Sequence, residues 1–362
     1  MPAGRRFSGR SRWWPAPIPL DVLLGLASYR SFCERFPWAV EPAPGAAVTT
    51  EALFGEAVRR LGRYRTMLRD VGRPRVLGPG VNPYLDLVGL LAEPFPDDAE
   101  GGEGGEGASA WSVAPGLGQL LDLPGRRREL VDRFAWAIPS GGGLDAVARH
   151  GPIVEGGAGR GYWAGLLRAR GVDIVAYDRA PPGSPNVYHP GRGGAWTGVA
   201  VGTSIEAVRR HPDRTLFLCW PPHDDDAAGH GALRAYRGEV LVYVGEGRDG
   251  ASGTVRFQRE LERNWSVIDI VGVPQWPGLG DRLVVYRRNA LRRRLIERDR
   301  CFECRRFIRT GSIGRCERCF ALRPPALALA VDGQRVEYPA AEVVAMPPAV
   351  RRAIEMSPNR IV

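Results

Sequence analysis

The feature that most limits the fold of this chain is a glycine-rich segment between an apolar run and a helix-like segment. Ile153-Val154-Glu155 leads into Gly156-Gly157-Ala158-Gly159-Arg160-Gly161, and residues at helical spacing follow from Tyr162. Glycine lets the backbone turn tightly and approach a ligand closely. The segment therefore predicts a strand, a ligand-binding turn and a helix, in that order.

Short apolar runs alternate with helix-like segments on both sides of this loop. The predicted strands are 152–155, 172–177, 198–201, 215–219 and 240–244, and the predicted helices are 162–170, 204–210, 229–236 and 256–263. This order favours a parallel sheet with helices on both faces. Two more strands, 265–271 and 281–287, have only a loop between them and must run antiparallel. The predicted class is α/β, a Rossmann-like sheet with an antiparallel terminal hairpin.

Two acidic residues distinguish between nucleotide cofactors. Glu155 precedes Gly157, Gly159 and Gly161 by two, four and six positions, whereas the dinucleotide pattern G-x-G-x-x-G fits less well. Asp178 follows the second predicted strand, where a carboxylate can accept hydrogen bonds from both ribose hydroxyls. The set predicts S-adenosylmethionine as cofactor, with Glu155 near its methionine amino group. The alternative is a glycine loop and a surface aspartate with no ligand.

The ends of the fourth and fifth predicted strands supply the candidate catalytic residues. They are Trp220, Pro221, Pro222, His223 and Glu246. These strand ends face the active crevice in such folds. A Pro-Pro turn is stiff, an imidazole accepts protons near neutral pH, and Glu246 could orient substrate or act as a base. A lone histidine is more often structural, and Asp224-Asp225-Asp226 fits a solvated turn as well as a substrate contact.

At these residues the sequence resembles a known family. Residues 127–288 are similar to class I S-adenosylmethionine-dependent methyltransferases, and most similar to members with AWAIP, CWPP, GE and PQWPG…DRL segments. The matching residues here are Ala135–Pro139, Cys219–Pro222, Gly245-Glu246, Pro274–Gly278 and Asp281–Leu283. The resemblance covers a little under half of the chain. It implies the fold and the cofactor, and it implies no substrate.

Two positions depart from relatives that methylate the amines of adenine or glutamine. Those relatives carry Asn or Asp before Pro-Pro, and here the residue is Trp220, which cannot accept a hydrogen bond from an amine. Trp220 remains a possible stacking surface for a planar base. Thr203-Ser204 stands where many members place an aspartate near adenine. Trp136 and Trp276 are expected either to wall the pocket or to pack in the core.

Four cysteines near the C-terminus form CxxC-x11-CxxC. They are Cys301, Cys304, Cys316 and Cys319. Two thiolate pairs at this spacing can close a tetrahedron around structural zinc, and metal binding then supplies the folding energy of such a short segment. The alternative is four cysteines without a metal. A catalytic zinc is not expected, because four thiolates leave no open position.

The basic residues of the chain are all arginine, and the net charge is +10. Genome composition could explain the total, but clustering is more informative. Between residues 287 and 320, twelve arginines stand against four acidic residues, an excess of eight positive charges. Such a module fits nucleic acid, and it also fits a protein-docking or folding element.

These patterns divide the chain into four predicted regions. They are a helical N-terminal region (1–125) with a flexible Gly-Glu loop (95–110), the S-adenosylmethionine-binding domain (126–290), the zinc module (291–325) and a C-terminal extension (326–362) with a hairpin turn at Asp332-Gly333. No apolar run is long enough for a membrane span, so a soluble, cytoplasmic protein is expected.

Two functions remain open from the sequence. The first is an S-adenosylmethionine-dependent methyltransferase with an unknown acceptor, for which nucleic acid is one candidate. The second is a non-catalytic Rossmann-fold protein whose arginine-rich zinc module binds nucleic acid or a protein partner. The sequence leaves the oligomeric state open.

Overall fold

The computed structural model describes residues 18–37, 49–71, 77–93, 115–184, 194–248 and 250–289, and the backbone of three C-terminal strands. The predicted loop 95–110 and the predicted zinc module 291–325 lie outside these residues. Of the arginine-rich segment 287–320, only residues 287–289 are described. Within the described part of the chain, seven helices precede the first strand. They are α1 (Leu20–Leu24), α2 (Tyr29–Arg35), α3 (Thr50–Val71), α4 (Pro83–Ala92), α5 (Pro115–Leu120), α6 (Leu123–Arg133) and α7 (Gly141–Ala148).

Helix α3 begins directly after a capping residue, Thr49. The side chain of Thr49 accepts the backbone N–H of Ala52 over 3.2 Å, which satisfies one of the free donors of the first turn. The buried residues then recur every three or four positions: Phe54, Ala57, Leu61, Tyr64 and Leu68. This spacing puts one apolar face of the helix against the core.

The main sheet has seven strands in the order β3-β2-β1-β4-β5-β7-β6. They are β1 (Ile153–Gly156), β2 (Ile174–Asp178), β3 (Ala200–Val201), β4 (Thr215–Cys219), β5 (Val240–Gly245), β6 (Trp265–Gly272) and β7 (Arg282–Arg288). Strands β1 to β5 are parallel, and β7 runs antiparallel between β5 and β6. The predicted α/β sheet with a reversed terminal hairpin is confirmed.

Four helices follow the strands of the sheet. They are α8 (Tyr162–Ala169), α9 (Ser204–Arg210), α10 (Ala232–Ala235) and α11 (Val255–Asn264). Helix α9 has the predicted bounds, and its capping box pairs Thr203 with Glu206. The helix predicted at 229–236 is wrong in its first half. A π-helical turn occupies Ala227–Gly231 there, and α10 keeps only four residues.

The N-terminal helices and one face of the sheet share a single hydrophobic core. Tyr84 and Leu91 of α4 belong to the same buried cluster as Phe217 of β4 and Val242 of β5. A second cluster, with Val208, Leu216 and Leu241 among its members, covers the opposite face of the sheet. The region boundary predicted at residue 125 is therefore not a break in the core.

A cluster of aromatic side chains packs the N-terminal helices against the sheet. Tyr84 stacks on Phe134 at a centroid distance of 5.0 Å, and Phe134 stacks on Trp196 at 5.2 Å. The indole N–H of Trp276, in the loop before β7, donates to the hydroxyl of Tyr84 over 3.1 Å. Trp276 is 1% exposed and is therefore a core residue.

Three C-terminal strands form a separate small sheet. Strand β8 (Leu327–Val331) pairs antiparallel with β9 (Gln334–Tyr338) and with β10 (Arg360–Ile361). Strands β8 and β9 therefore pair antiparallel, as a hairpin requires, whereas the predicted turn at Asp332-Gly333 lies outside the described residues. The sequence did not predict β10. None of the described helices is long and apolar enough to cross a membrane.

Candidate active site

A cavity lies at the carboxyl edge of the sheet. It encloses about 1060 Å³, part of it open to solvent, and is lined by residues that follow β1, β2, β3 and β4. The strand order reverses between β1 and β4, and ligands of doubly wound sheets bind where this reversal occurs. The sequence-predicted residues Gly157, Asp178, Trp220, Pro222 and His223 all line this cavity.

The glycine loop has the backbone geometry that its sequence predicts. Gly157, Gly159 and Gly161 have φ angles of 71°, 54° and 71°, a region that side chains rarely adopt. A Cβ at Gly161 would lie 2.7 Å from the Val199 side chain, so this glycine is also required by packing. At Gly157 a Cβ would meet only the Ser204 hydroxyl, at 3.9 Å. Gly157 thus keeps its backbone accessible from the cavity.

Asp178 connects the end of β2 to the glycine loop. One carboxylate oxygen accepts the backbone N–H of Gly159 over 2.7 Å, and the other accepts that of Ala180 over 2.8 Å. Each carboxylate oxygen has a second lone pair. Because Asp178 lines the cavity, it is placed to accept hydroxyl groups of a ligand as well.

Glu155 lies beneath the loop and is 2% exposed. One of its carboxylate oxygens is buried without a hydrogen-bond partner in the described structure. The pKa of Glu155 is raised to about 8, mainly by burial; the charge of Arg168 acts to lower it, and the carboxylate of Asp178 acts to raise it. Glu155 is not part of the cavity surface itself. A buried carboxylate with a free oxygen next to a glycine cradle fits a ligand that carries a cationic amine.

Trp220 has an unusual backbone at the end of β4. Its φ is 51°, a left-handed conformation that is rare for a bulky residue. Its backbone N–H donates to Val244 over 2.8 Å, and its indole N–H donates to Asp281 over 2.7 Å. The Trp220 ring stacks on Trp136 at a centroid distance of 5.3 Å and an interplanar angle of 22°. Both rings line the cavity.

Asp281 and Arg127 complete this group. Asp281 opens the DRL segment of the resemblance, but neither residue was predicted to belong to the site. Asp281 is 1% exposed, and one of its oxygens is buried without a partner in the described structure. Burial raises the pKa of Asp281 to about 7, against the hydrogen bond from Trp220. The guanidinium of Arg127 lies 5.6 Å from the Trp136 ring centre and 5.7 Å from that of Trp220. These distances are within cation–π range.

The Pro-Pro turn and His223 form the outer wall next to Trp220. Pro222 and His223 line the cavity, and His223 is exposed. Pro221 is buried, and its carbonyl accepts the backbone N–H of Gly253 over 2.6 Å. Pro221 therefore shapes the turn without reaching the cavity. Asp225 lines the cavity too, so part of the predicted acidic turn belongs to the site.

Glu246 is placed away from the cavity lining. One carboxylate oxygen accepts the backbone N–H of Ala251 over 2.7 Å, and the other accepts that of Gly280 over 2.9 Å. These bonds join the loop after β5 to the loop before β7. Glu246 therefore holds these two loops together, and its predicted role in orienting substrate or acting as a base stays a prediction.

The remaining predicted site residues fall into two groups. Thr203 and Ser204 line the cavity, as does Trp136, whereas Trp276 does not. Cys301, Cys304, Cys316 and Cys319 lie outside the described residues. Among the residues that are described, no group of three or more His, Cys, Asp or Glu side chains could hold a metal ion.

Comparisons with known proteins give limited information. No protein-family model matches the sequence. No curated protein matches it either. One similar solved structure is titled "Conversion of a Disulfide Bond into a Thioacetal Group during Echinomycin Biosynthesis"; its identity is 16%, its TM-score is 0.29, and the match covers 44% of this chain and 86% of that one.

A second similar structure is the magnesium protoporphyrin IX methyltransferase from Synechocystis PCC 6803 with bound SAM. Its identity is 11% and its TM-score 0.29, over 52% of this chain and 87% of that one. Similarities at this level carry no argument about function. The fold is defined by the strand order and by the reversed strand β7.

Proposed function

We propose that this protein is an S-adenosylmethionine-dependent methyltransferase. The observation that carries the proposal is the cavity at the reversal point between β1 and β4, which brings Gly157, Asp178 and Trp220 together. The antiparallel β7 supports this cofactor over a dinucleotide, because nicotinamide-binding Rossmann sheets usually lack a reversed terminal hairpin.

The two halves of the cavity have different roles in this proposal. The glycine loop and Asp178 hold the nucleoside, with Asp178 accepting the ribose hydroxyls, and Glu155 balances the cationic amine. The bound cofactor supplies an electrophilic methyl group on a sulfonium. The residues at the end of β4 orient the acceptor toward it and exclude water. Among the described residues, His223 is the one imidazole that lines the cavity, and it is placed to take a proton from the acceptor.

Calorimetry with S-adenosylmethionine tests the cofactor assignment directly. We expect binding by the wild type and a loss of about ten- to a hundredfold in affinity for Asp178→Ala, because hydrogen bonds to a charged group are removed. Asp213→Ala is the matched control, since Asp213 is exposed and far from the cavity lining. No binding by the wild type at high micromolar cofactor would refute the proposal.

We also propose that Cys301, Cys304, Cys316 and Cys319 bind one structural zinc ion. The support is the CxxC-x11-CxxC spacing, which suits a four-thiolate site. Metal analysis of the full chain should find one zinc per molecule, and Cys301→Ser should lower that content. Cys33→Ser is the control and should leave it unchanged, because Cys33 lies in α2. Equal zinc content in all three proteins would contradict the site.

The arginine excess around these cysteines supports a proposed role in binding nucleic acid. Phosphate contacts make affinity fall steeply as salt rises, because counterions are released on binding. Titration of a single-stranded oligonucleotide at several salt concentrations measures this slope. A flat response would assign the arginines to another role, such as a protein contact.

A further inference from the structure

We propose that the stacked indoles of Trp136 and Trp220 bind a nucleobase by stacking and so form the acceptor half of the cavity. This inference rests on the proposed function, because it assigns the substrate class of the same site. Both residues line the cavity close to the end of β4. Trp220 is 9% exposed and Trp136 is half-buried, so Trp136 presents the larger surface of the pair. In this proposal, the indoles recognise the acceptor by stacking against the face of its base.

The strained backbone of Trp220 is the first argument. A left-handed conformation at a bulky residue persists only where its surroundings impose it, and such residues cluster at functional sites. Here the backbone N–H is bound to Val244 and the indole N–H is bound to Asp281. The two bonds fix both ends of the residue. The ring is therefore held in one orientation toward the cavity.

The loss of the indole N–H as a free donor is the second argument. Asp281 accepts it over 2.7 Å in a buried hydrogen bond, so Trp220 offers a ligand only its carbon surface. The lining that follows β4 includes Pro222, His223 and Asp225. Asp225 is the carboxylate of this set, and it is already paired with Arg179 over 3.1 Å. Stacking is the main contact that such a surface can make.

The third argument comes from the charged groups next to the two stacked indoles of Trp136 and Trp220, which we call the platform. Arg127 approaches both rings, and it also lowers the pKa of Asp281, which places the two charged groups near each other. The rear of the platform thus carries a cation and a carboxyl group, and its front is apolar. An electron-rich indole face suits an electron-poor heteroaromatic ring.

The arginine-rich composition favours a nucleobase over other flat rings. The chain has a net charge of +10, and eight of these charges fall between residues 287 and 320. A phosphate-bearing acceptor matches this charge, whereas an uncharged phenol does not use it. The nucleobase can come from a free nucleoside or from a single strand, and the experiment separates the two sources.

Saturation-transfer NMR on the full chain measures ring binding without any catalytic readout. The probes are cytidine, uridine and guanosine, a five-nucleotide single strand, phenol as a flat ring without a sugar, and cyclohexanol as a saturated ring. Each is tested with and without saturating S-adenosylhomocysteine. We expect signals from nucleosides or from the strand in both conditions, and none from cyclohexanol.

Matched variants locate the signal. Trp136→Ala should weaken nucleobase binding about tenfold, because a stacking partner is lost, and Trp136→Phe should retain most of it. Asp213→Ala changes an exposed residue outside the cavity lining, so it is the control and should bind like the wild type. Calorimetry with S-adenosylhomocysteine should give the same cofactor affinity for all of these proteins.

The outcomes separate this inference from the proposed function. Nucleobase signals that survive cofactor and depend on Trp136 support it, and a preference for the strand identifies nucleic acid as the source. Signals that S-adenosylhomocysteine abolishes overturn it, because the base then occupies the nucleoside half. Phenol binding without nucleobase binding overturns it as well. If cofactor does not bind but nucleobases do, the methyltransferase proposal fails and the platform remains.

Discussion

The guanidinium of Arg179 lies 3.1 Å from the carboxylate of Asp225. This ion pair joins the loop after β2 to the loop after β4, and both residues line the cavity. It therefore links the lining residues of the proposed nucleoside half to those of the proposed acceptor half. Asp225 also accepts the backbone N–H of Ala227 over 2.9 Å, which fixes its side of the pair.

Asp225→Asn should release bound cofactor several-fold faster with almost no change in stability. The amide oxygen can still accept the Ala227 N–H, but the ion pair is lost. An exposed ion pair contributes only about 0–1 kcal/mol to folding, so the melting temperature should change little. Stopped-flow displacement of S-adenosylhomocysteine measures the release rate. Asp226→Asn, which breaks the pair with Arg256 away from the cavity lining, is the control. Equal rates in both variants would count against a role of this ion pair in cofactor release.

Gly157→Ala should weaken cofactor binding strongly at a small cost in stability. Its φ of 71° makes the substitution strained by about 1–2 kcal/mol, and its Cβ would enter the space that faces the cavity. Gly171→Ala is the matched control, because Gly171 has a φ of 79° and open space around its Cβ, outside the cavity. Urea unfolding should give similar losses for both variants. Only Gly157→Ala should lose affinity in calorimetry, and equal affinities would remove the loop from the site.

Glu155→Gln should change how stability depends on pH. The pKa of Glu155 in the folded protein is about 8, above its ordinary 4.5, so the folded state keeps a proton that the unfolded chain loses. The contribution of Glu155 to stability is therefore greatest below about pH 4.5 and is lost as pH rises toward 8, by up to about 1.4 kcal/mol per pH unit. The glutamine variant lacks this loss.

Urea unfolding of both proteins between pH 5 and pH 8 measures the difference. Asp281, with a pKa raised to about 7, contributes a loss of the same sign, so both proteins are also compared in an Asp281→Asn background. The curves should converge near pH 5 and diverge as pH rises. Parallel curves would show that Glu155 is ionised in the folded protein at all of these pH values.

The sequence predicted the sheet well because its signals are local. Strand β4 and helix α9 were placed to the residue, since β4 is a continuous apolar run and α9 has Thr203 as a capping residue. Helix α7 was missed because it begins Gly141-Gly142-Gly143, and glycine disfavours helices. Its start signal was present in Ser140, whose side chain accepts the Gly143 N–H over 3.1 Å.

The candidate site was less predictable because its key contacts are distant in sequence. The glycine loop and Asp178 follow a compact pattern and line or support the cavity as expected. The bond from Trp220 to Asp281 crosses 61 positions, and no local pattern marks it. The same limit applies to Trp136 and Trp276, because the sequence gives both the same two expectations, a place in the pocket wall or in the core. Only packing assigns one to the cavity and the other to the core.

The hydrogen bond between Trp276 and Tyr84 has a consequence for how the chain can be made and divided. Its partners are 192 positions apart, so α4 leaves the ribosome long before the loop that completes its environment. Until then, the apolar surface around Tyr84 has no cover from that loop. A fragment limited to residues 127–288 would lack α4 altogether and expose the rings of Phe134 and Trp276 to water. The shortest fragment that folds independently should therefore include the N-terminal helices.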